Sequence, residues 1–297
     1  MAKKGEKTLT RKRVEKLGFD EASVITADML EGYTNIGDGA FHGCRGLTSI
    51  EIPDSITSIG EWAFYGCRSL TSVIIPNSVI SIESYAFSDC ISLISVTIPN
   101  NVTSIESYVF SDCISLVSVT IPNTVANIGD GAFRGCRGLT SVTIPNSVTR
   151  IGHGAFYECS GLTSVTIPDS IKDIGNDAFE RCNFEYKEKP DVRGRIIAYK
   201  GFNVDMTCRD FQYKEGETYE IEGEPILCER GFHACLNPMD CFGYYCGQIG
   251  KDIVFHEVYL EGVSDEKSYG SKVVARKITI GREISLSEMA DIANGRK

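Results

Sequence analysis

At 297 residues the chain is too long for one ordinary core and suits two domains, or a solenoid joined to a domain. Its composition, 42% hydrophobic and 24% charged, is that of a folded protein, and a net charge of −10 argues against duplex nucleic acid as the main partner, because phosphates attract the opposite sign. No stretch approaches the roughly 18 consecutive apolar residues of a membrane span, so none is expected.

The charge is unevenly placed. Residues 1–30 hold seven Lys/Arg against five Asp/Glu, whereas residues 31–182 hold seven against fifteen, giving a mildly basic leader and an acidic body. No apolar segment of about 7–15 residues follows the basic start, so no secretory signal is read and a cytoplasmic location is expected. Residues 1–30 are expected to cap the body, with Val14, Leu17 and Phe19 as apolar points around a short helix.

The body is periodic. Cys44, Cys67, Cys90, Cys113, Cys136, Cys159 and Cys182 recur with a step of 23, and Phe41 through Phe179 keep the same step three residues earlier. Ile-Pro pairs beginning at Ile52, Ile75, Ile98, Ile121, Ile144 and Ile167 keep it too. A constant period of this size means stacked units whose neighbours complete one core. In the unit from Leu139, strand alternation turns Val142 and Ile144 inward and Ser141 and Thr143 outward. Pro145 ends that strand. Val148, Ile151, Ala155 and Phe156 line the return path, where Gly152 and Gly154 favour a tight turn. The cysteines then form a column of buried, reduced thiols, in preference to disulfides or a metal column.

The spacing Leu139-x-x-Val142-x-Ile144-x-x-Ser147, with Ser55, Ser78, Asn101, Thr124 and Ser170 equivalent to Ser147, fits a leucine-rich repeat frame. Together with the Ile-Pro, Ile-Gly and Ala-Phe pairs, the unit resembles the BspA-like class of leucine-rich repeats from Ile36 to Cys182. That resemblance implies a curved leucine-rich repeat solenoid over residues 31–190, with a parallel β-sheet on one side and short turns or helical segments elsewhere. It also implies a protein-binding role on the concave face.

The outward positions of that face are Ser72, Ser95, Ser118, Ser141 and Ser164 in one column and Thr97, Thr120, Thr143 and Thr166 in the next. They can be plain strand surface, or the contact face for a partner. Two units depart from the rest: they carry Glu83 and Glu106 in place of glycine, and Ile91, Ile94, Ile114 and Val117 in place of Arg, Gly, Ser or Thr. This is either a recent duplication or an apolar contact patch. Arg45, Arg68, Arg137, Tyr65 and Tyr157 near the turns are plausible anchors, or solvated turns.

Pro190 and the charges around it mark a junction, and residues 191–286 read as a small α+β domain. Strands are expected in "RIIAYKGF", "ILCERGFHAC", "DIVFHEVYLEGV" and "KVVARKITIGREI". Asn237-Pro238 starts one helix, and the capping box Ser285 to Glu288 starts another that runs through Ala293 into a tail at 287–297. The words "YKGF", "CRDFQY", "LCERGFHAC" and "NPMDCFGYY" resemble an uncharacterised domain recurring in phage and bacterial proteins, which suggests such an origin.

Three chemistries are open here. Cys228, His233, Cys235 and Cys241 could contribute to a zinc site, though no C-x2-C knuckle is present. His233 and Cys235 share one strand face, as a Cys/His nucleophile requires. The order of elements also looks like an ADP-ribosyltransferase, a resemblance that would give Tyr199, His233, Tyr244 and Glu257 catalytic roles. The preferred reading is a non-enzymatic protein-protein interaction scaffold that needs no cofactor and takes a protein partner. The alternative is a transferase whose repeats select its target.

Overall fold

The computed structural model describes residues 7–184, 190–209, 211–227, 231–244, 253–264 and 271–295. The 23-residue step becomes two rows of parallel strands. One row is built from three-residue strands, Ser49–Glu51, Ser72–Ile74, Ser95–Thr97, Ser118–Thr120, Ser141–Thr143 and Ser164–Thr166. Each pairs in register with its equivalent, as in Ser95↔Ser118 and Val142↔Val165. The second row runs from Asn35–Ile36 through Ser58–Ile59 to Asp173–Ile174, on the return path where a turn alone is expected from the glycines. The recurring Ile of that path is buried, so its backbone is held in line with the copies on either side and forms a ladder.

Between the rows, like side chains pile into columns. The rings of Phe41, Phe64, Phe87, Phe110, Phe133, Phe156 and Phe179 stack at centroid spacings of 5.0–5.6 Å. Each ladder thiol from Cys67 to Cys182 donates to the carbonyl of the phenylalanine 26 residues earlier, at 3.1–3.3 Å. All ten cysteines among the described residues are free thiols. Burial pushes the Cys67 and Cys159 thiols up to about 12. A further column links Thr124, Ser147 and Ser170 to the carbonyls of Val102, Val125 and Val148 at 2.7–2.8 Å.

The N-terminal cap breaks the period. Thr8 pairs with Asn35 and Val24 with Ser49, steps of 27 and 25 rather than 23. Leu9, Val14 and Leu30 seal the first turn of the core. Helix α1 spans Arg11–Lys16, and Arg11 donates to the Sγ of Cys44, the one ladder thiol with no preceding turn. Of the apolar points expected there, Val14 and Phe19 are buried, but Leu17 is 39% exposed, because the helix has ended and Gly18 turns the chain at φ 69°.

The C-terminal part is mostly antiparallel β. Among the described residues its main sheet has five strands, β1 (Ile196–Asn203), β2 (Thr218–Glu220), β3 (Phe232–Cys235), β4 (Ile253–Val263) and β5 (Lys272–Ile284), and Thr207–Cys208 pairs with Phe211–Gln212 in a separate hairpin. Strand β1 pairs with β4 and β3, and β5 pairs with both of these, so the four strands close a small ring; β2 adds to β5. Helical content is small: a 3₁₀ turn Pro238–Asp240, α2 (Cys241–Tyr244) and α3 (Leu286–Ala293). Both expected starts are present, with Asn237 capping the Met239 amide and Ser285 and Glu288 forming the capping box.

This part is docked on the end of the solenoid. Phe242 of α2 lies 6.2 Å from Phe179, the last ring of the column. Beyond α3, the amide group of Asn294 donates to the Val165 carbonyl and accepts from its N–H at 2.9 Å, filling the free edge of the last three-residue strand. The core is therefore continuous from the last turns into α2 and α3.

Candidate binding surfaces

The structure brings the nine expected strand-face residues together. Ser72, Ser95, Thr97, Ser118, Thr120, Ser141, Thr143 and Thr166 are exposed and Ser164 is half-buried, in two columns set by the strand register. Set among them are aliphatic side chains that packing does not require. Ile74 takes the place of a column threonine and is 66% exposed. Ile94 and Val117, one residue before the serine column, are 50% and 46% exposed, and Val117 donates its amide to the Ile94 carbonyl. Ile114 is also exposed and Ile91 half-buried. Ile74 thus adds a further exposed aliphatic residue to this face, across the serine column from Ile94 and Val117. The signal was present as the replacement of threonine in one Ser-Val-Thr triplet.

The turn edge has its own columns. Arg68 is paired with Asp89 at 2.8 Å and Arg137 lies 3.9 Å from Glu158. Tyr65 stacks on His42 at 5.1 Å, and Tyr157 lies between Arg134 and Arg181 at 5.1 and 5.2 Å. Arg45 is exposed. A column unnoticed in the sequence stands beside them: Tyr85 and Tyr108 stack at 4.9 Å, and Trp62 lies tilted against Tyr85 at 6.0 Å. All three have left-handed backbones, φ 52–60°, at a step where the other turns use Gly39, Gly131, Gly154 and Asp177. The ring of Tyr108 lies over Gly131, so a side chain there would displace it. A shallow groove of about 590 Å³ continues from that ring over Gly131 and Gly154 to Glu180.

In the C-terminal ring the proposed chemistries come apart. Tyr199 and Glu257 are register partners on β1 and β4, on the opposite strand face to Ala198, Lys200 and Phe202. Burial and then Glu257 push the Tyr199 hydroxyl up to about 12, and the Glu257 carboxylate accepts from Tyr259 at 2.6 Å. His233 and Tyr244 instead line a cleft that neither Tyr199 nor Glu257 borders. The expected catalytic set is not gathered in one place: Tyr199 and Glu257 face each other across β1 and β4, while His233 and Tyr244 line the cleft. Cys235 and Cys241 are fully buried against the solenoid end, and Cys241 donates to the Tyr199 carbonyl at 3.4 Å. Cys228 lies outside the described residues. Among the described residues no three His, Cys, Asp or Glu side chains converge as a metal site. His233 is in turn separated from Cys235 by burial, one lining the cleft and the other in the core.

The cleft, about 420 Å³, is bordered by Lys200, Arg209 and Lys272, three residues that no sequence motif singles out for it. Lys200 is only 4% exposed, donates to the His233 carbonyl at 3.0 Å, and has its ammonium 5.6 and 6.0 Å from the rings of Phe202 and Tyr213. Burial lowers its pKa. Burial, followed by Lys272, Lys200 and Arg209, holds the His233 ring down to about 4.

Residues 12–140 and 127–215 match the family described as BspA type leucine rich repeat region, which covers more than half of the sequence. The chain belongs to the BspA-type leucine-rich repeat family. Residues 196–292 of this BspA-type protein also match a domain of unknown function, DUF7666. The repeat match overruns the solenoid, because residues 196–203 form the first strand of the terminal ring. No curated protein matches the chain. Among solved structures it is similar to a leucine-rich repeat protein of T. pallidum, at 33% identity over 55% of this chain and 78% of that one, with a TM-score of 0.52. It is also similar to a leucine-rich repeat protein from Bacteroides ovatus, at 31% identity over 54% and 47% of the two chains, TM-score 0.44. A leucine rich cell surface protein from Faecalibacterium prausnitzii matches at 34% identity over 59% and 48%, TM-score 0.42. The BspA-type chain thus spans about half the length of these last two. Among its described residues no helix is long and apolar enough to cross a membrane.

Proposed function

We propose that the protein is a non-enzymatic scaffold that binds a protein partner on the three-residue strand face of its solenoid. The observation that carries this reading is the set Ile74, Ile94 and Val117, exposed on three consecutive turns of a face coated mainly by hydroxyls, with Ile94 and Val117 on neighbouring rungs. Contiguous apolar surface left open to water is unfavourable unless something covers it, and such patches mark contact sites. The surrounding serines and threonines supply hydrogen bonds for a polar rim. The in-register ladders hold the backbone in its bound form beforehand, so little conformational entropy is lost on association. The leucine-rich repeat fold commonly serves protein-protein interaction, which fits the same reading.

The experiment is photocrosslinking from Thr120, with Lys172 on the return-path side as the control position. A discrete adduct from Thr120 that is absent from Lys172, and that is lost in the triple variant Ile74→Glu, Ile94→Glu, Val117→Glu while the melting temperature holds, is the expected result. Equal adducts from both positions, or adducts indifferent to the triple variant, would refute binding on this face.

A further inference from the structure

The aromatic column of the turn edge is interrupted. Trp62, Tyr85 and Tyr108 occupy it on three consecutive turns, Gly131 and Gly154 on the next two, and Asp177 on the one after, all with left-handed backbones. This backbone conformation does not demand glycine, because Trp62, Tyr85, Tyr108 and Asp177 hold it too. Tyr85 covers the side of the Tyr108 ring that faces the earlier turns, and the other side borders the groove of about 590 Å³ floored by Gly131 and Gly154. Over Gly154 the space is open: an added Cβ would meet nothing closer than the Cβ of Tyr157 at 3.4 Å. The gap therefore has a phenol ring at one end and a carboxylate at the other. Its remaining polar groups carry both signs and both hydrogen-bonding senses. His153 accepts the Asn176 N–H on Nδ1 at 2.9 Å, which places the proton of the neutral ring on Nε2, where it can donate. Burial and then Asp177 push the Glu180 carboxyl above its ordinary value, so the two carboxyls stand close together. Asp177 and Glu180 oppose an anionic ligand, and Arg134 and Arg181, which flank Tyr157, oppose a cationic one.

We propose that this groove binds a pyranose ring of a neutral saccharide, at a site separate from the three-residue strand face. A pyranose has a face of C–H groups and a rim of hydroxyls. The C–H face packs on the side of Tyr108 away from Tyr85, which extends the ring column by one place into the gap. The hydroxyls, each both donor and acceptor, meet Asp177 and Glu180 as acceptors and His153 and Arg134 as donors, with the Asn176 amide serving either way. Hydrogen bonds from sugar hydroxyls to the ionised carboxylate of Asp177 are the strongest of these. The assignment does not depend on the strand-face reading, so either can fail without the other.

The test titrates the full chain with the methyl glycosides of glucose, galactose, mannose and N-acetylglucosamine, with acetate and lysine amide as charged controls. Amide NMR shifts are read at Gly131, Gly154 and Asn176, against Thr97 and Thr143 on the strand face. At least one glycoside should give saturable shifts at the groove amides and none at the strand face, with a Kd on the order of 1 mM for a ligand covered on one side. Gly154→Asn places a side chain in the gap and should abolish the shifts. Asp177→Asn should weaken binding about tenfold, as expected for losing one charge-assisted hydrogen bond. Asparagine tolerates the left-handed backbone of both positions, so the melting temperatures of the two variants should match the parent. No groove shifts with any of the glycosides, shifts with acetate or lysine amide as large as with a glycoside, or undiminished binding in Gly154→Asn each overturns the proposal.

Discussion

A hydroxyl repeated every 23 residues has a job only where its carbonyl partner is in reach. Ser147 donates to Val125 at 2.7 Å, but Ser78, at the equivalent step, is half-buried and its Oγ is shielded from water with no hydrogen-bond partner among the described residues. Ser147→Ala should therefore cost about 1 kcal/mol in urea unfolding, because the Val125 carbonyl loses its donor. Ser78→Ala should be neutral within about 0.5 kcal/mol or slightly stabilising, since it removes a desolvated group that gains nothing. Equal losses at both sites would contradict this account. The left-handed aromatics raise the same theme. Trp62, Tyr85 and Tyr108 hold a backbone that glycine adopts freely, and their stacking offsets part of that cost.

At the scale of elements, the ends of the ladder need their own closure. An isolated parallel ladder leaves donors and acceptors open at each edge, and two unrelated devices close them. At one end a cap of irregular step covers the first turn, with Arg11 bonded to the unpaired thiol of Cys44. At the other, Asn294 copies the hydrogen bonding of a strand and Phe242 completes the ring column. Asn294→Ala should cost about 1–3 kcal/mol, the price of orphaning two buried backbone groups, and should accelerate hydrogen exchange at Val165 before that of Val142. If Val165 stays as protected as in the parent, the asparagine is not the strand's cap. How much of this was legible follows from distance along the chain. The strand, phenylalanine and thiol columns could be read from the 23-residue step alone, because like residues at like heights leave no other packing. The capping box at Ser285 was legible for the same local reason. The Asn294 cap was not, since its partner is 129 residues away and one asparagine carries no signal of what edge it will meet. Nor was the cleft, whose Lys200, Arg209 and Lys272 meet only once β1 and β5 are in their ring.

At the scale of the whole molecule, proton linkage sets the working range. Cys67 and Cys159 are held at about 12 in the fold, against 9.0 for a free thiol, so they stay neutral while unfolded thiols ionise. Their contribution is complete below about 9 and shrinks as pH rises towards 12. His233 acts at the other side: held near 4 rather than 6.5, it stabilises the fold above about 6.5, and that share is lost as pH falls towards 4. Unfolding free energy should be flattest between about pH 6.5 and 9 and fall on either side. In Cys136→Ala the alkaline fall should be shallower than in the parent, after the loss of one such thiol, whose pKa burial also raises. A slope unchanged by that substitution would mean the column does not govern the alkaline limit.

The out-of-step leader and the docked ring each touch only the turn nearest to them, and nothing in between knows how many turns there are. Adding or removing one full unit of 23 residues from the middle would leave both terminal plugs seated. It would shift the charged cleft relative to the leader by one strand spacing, about 4.8 Å. The body therefore behaves as a ruler with fixed graduations, on which evolution can set the separation of the two ends without redesigning either.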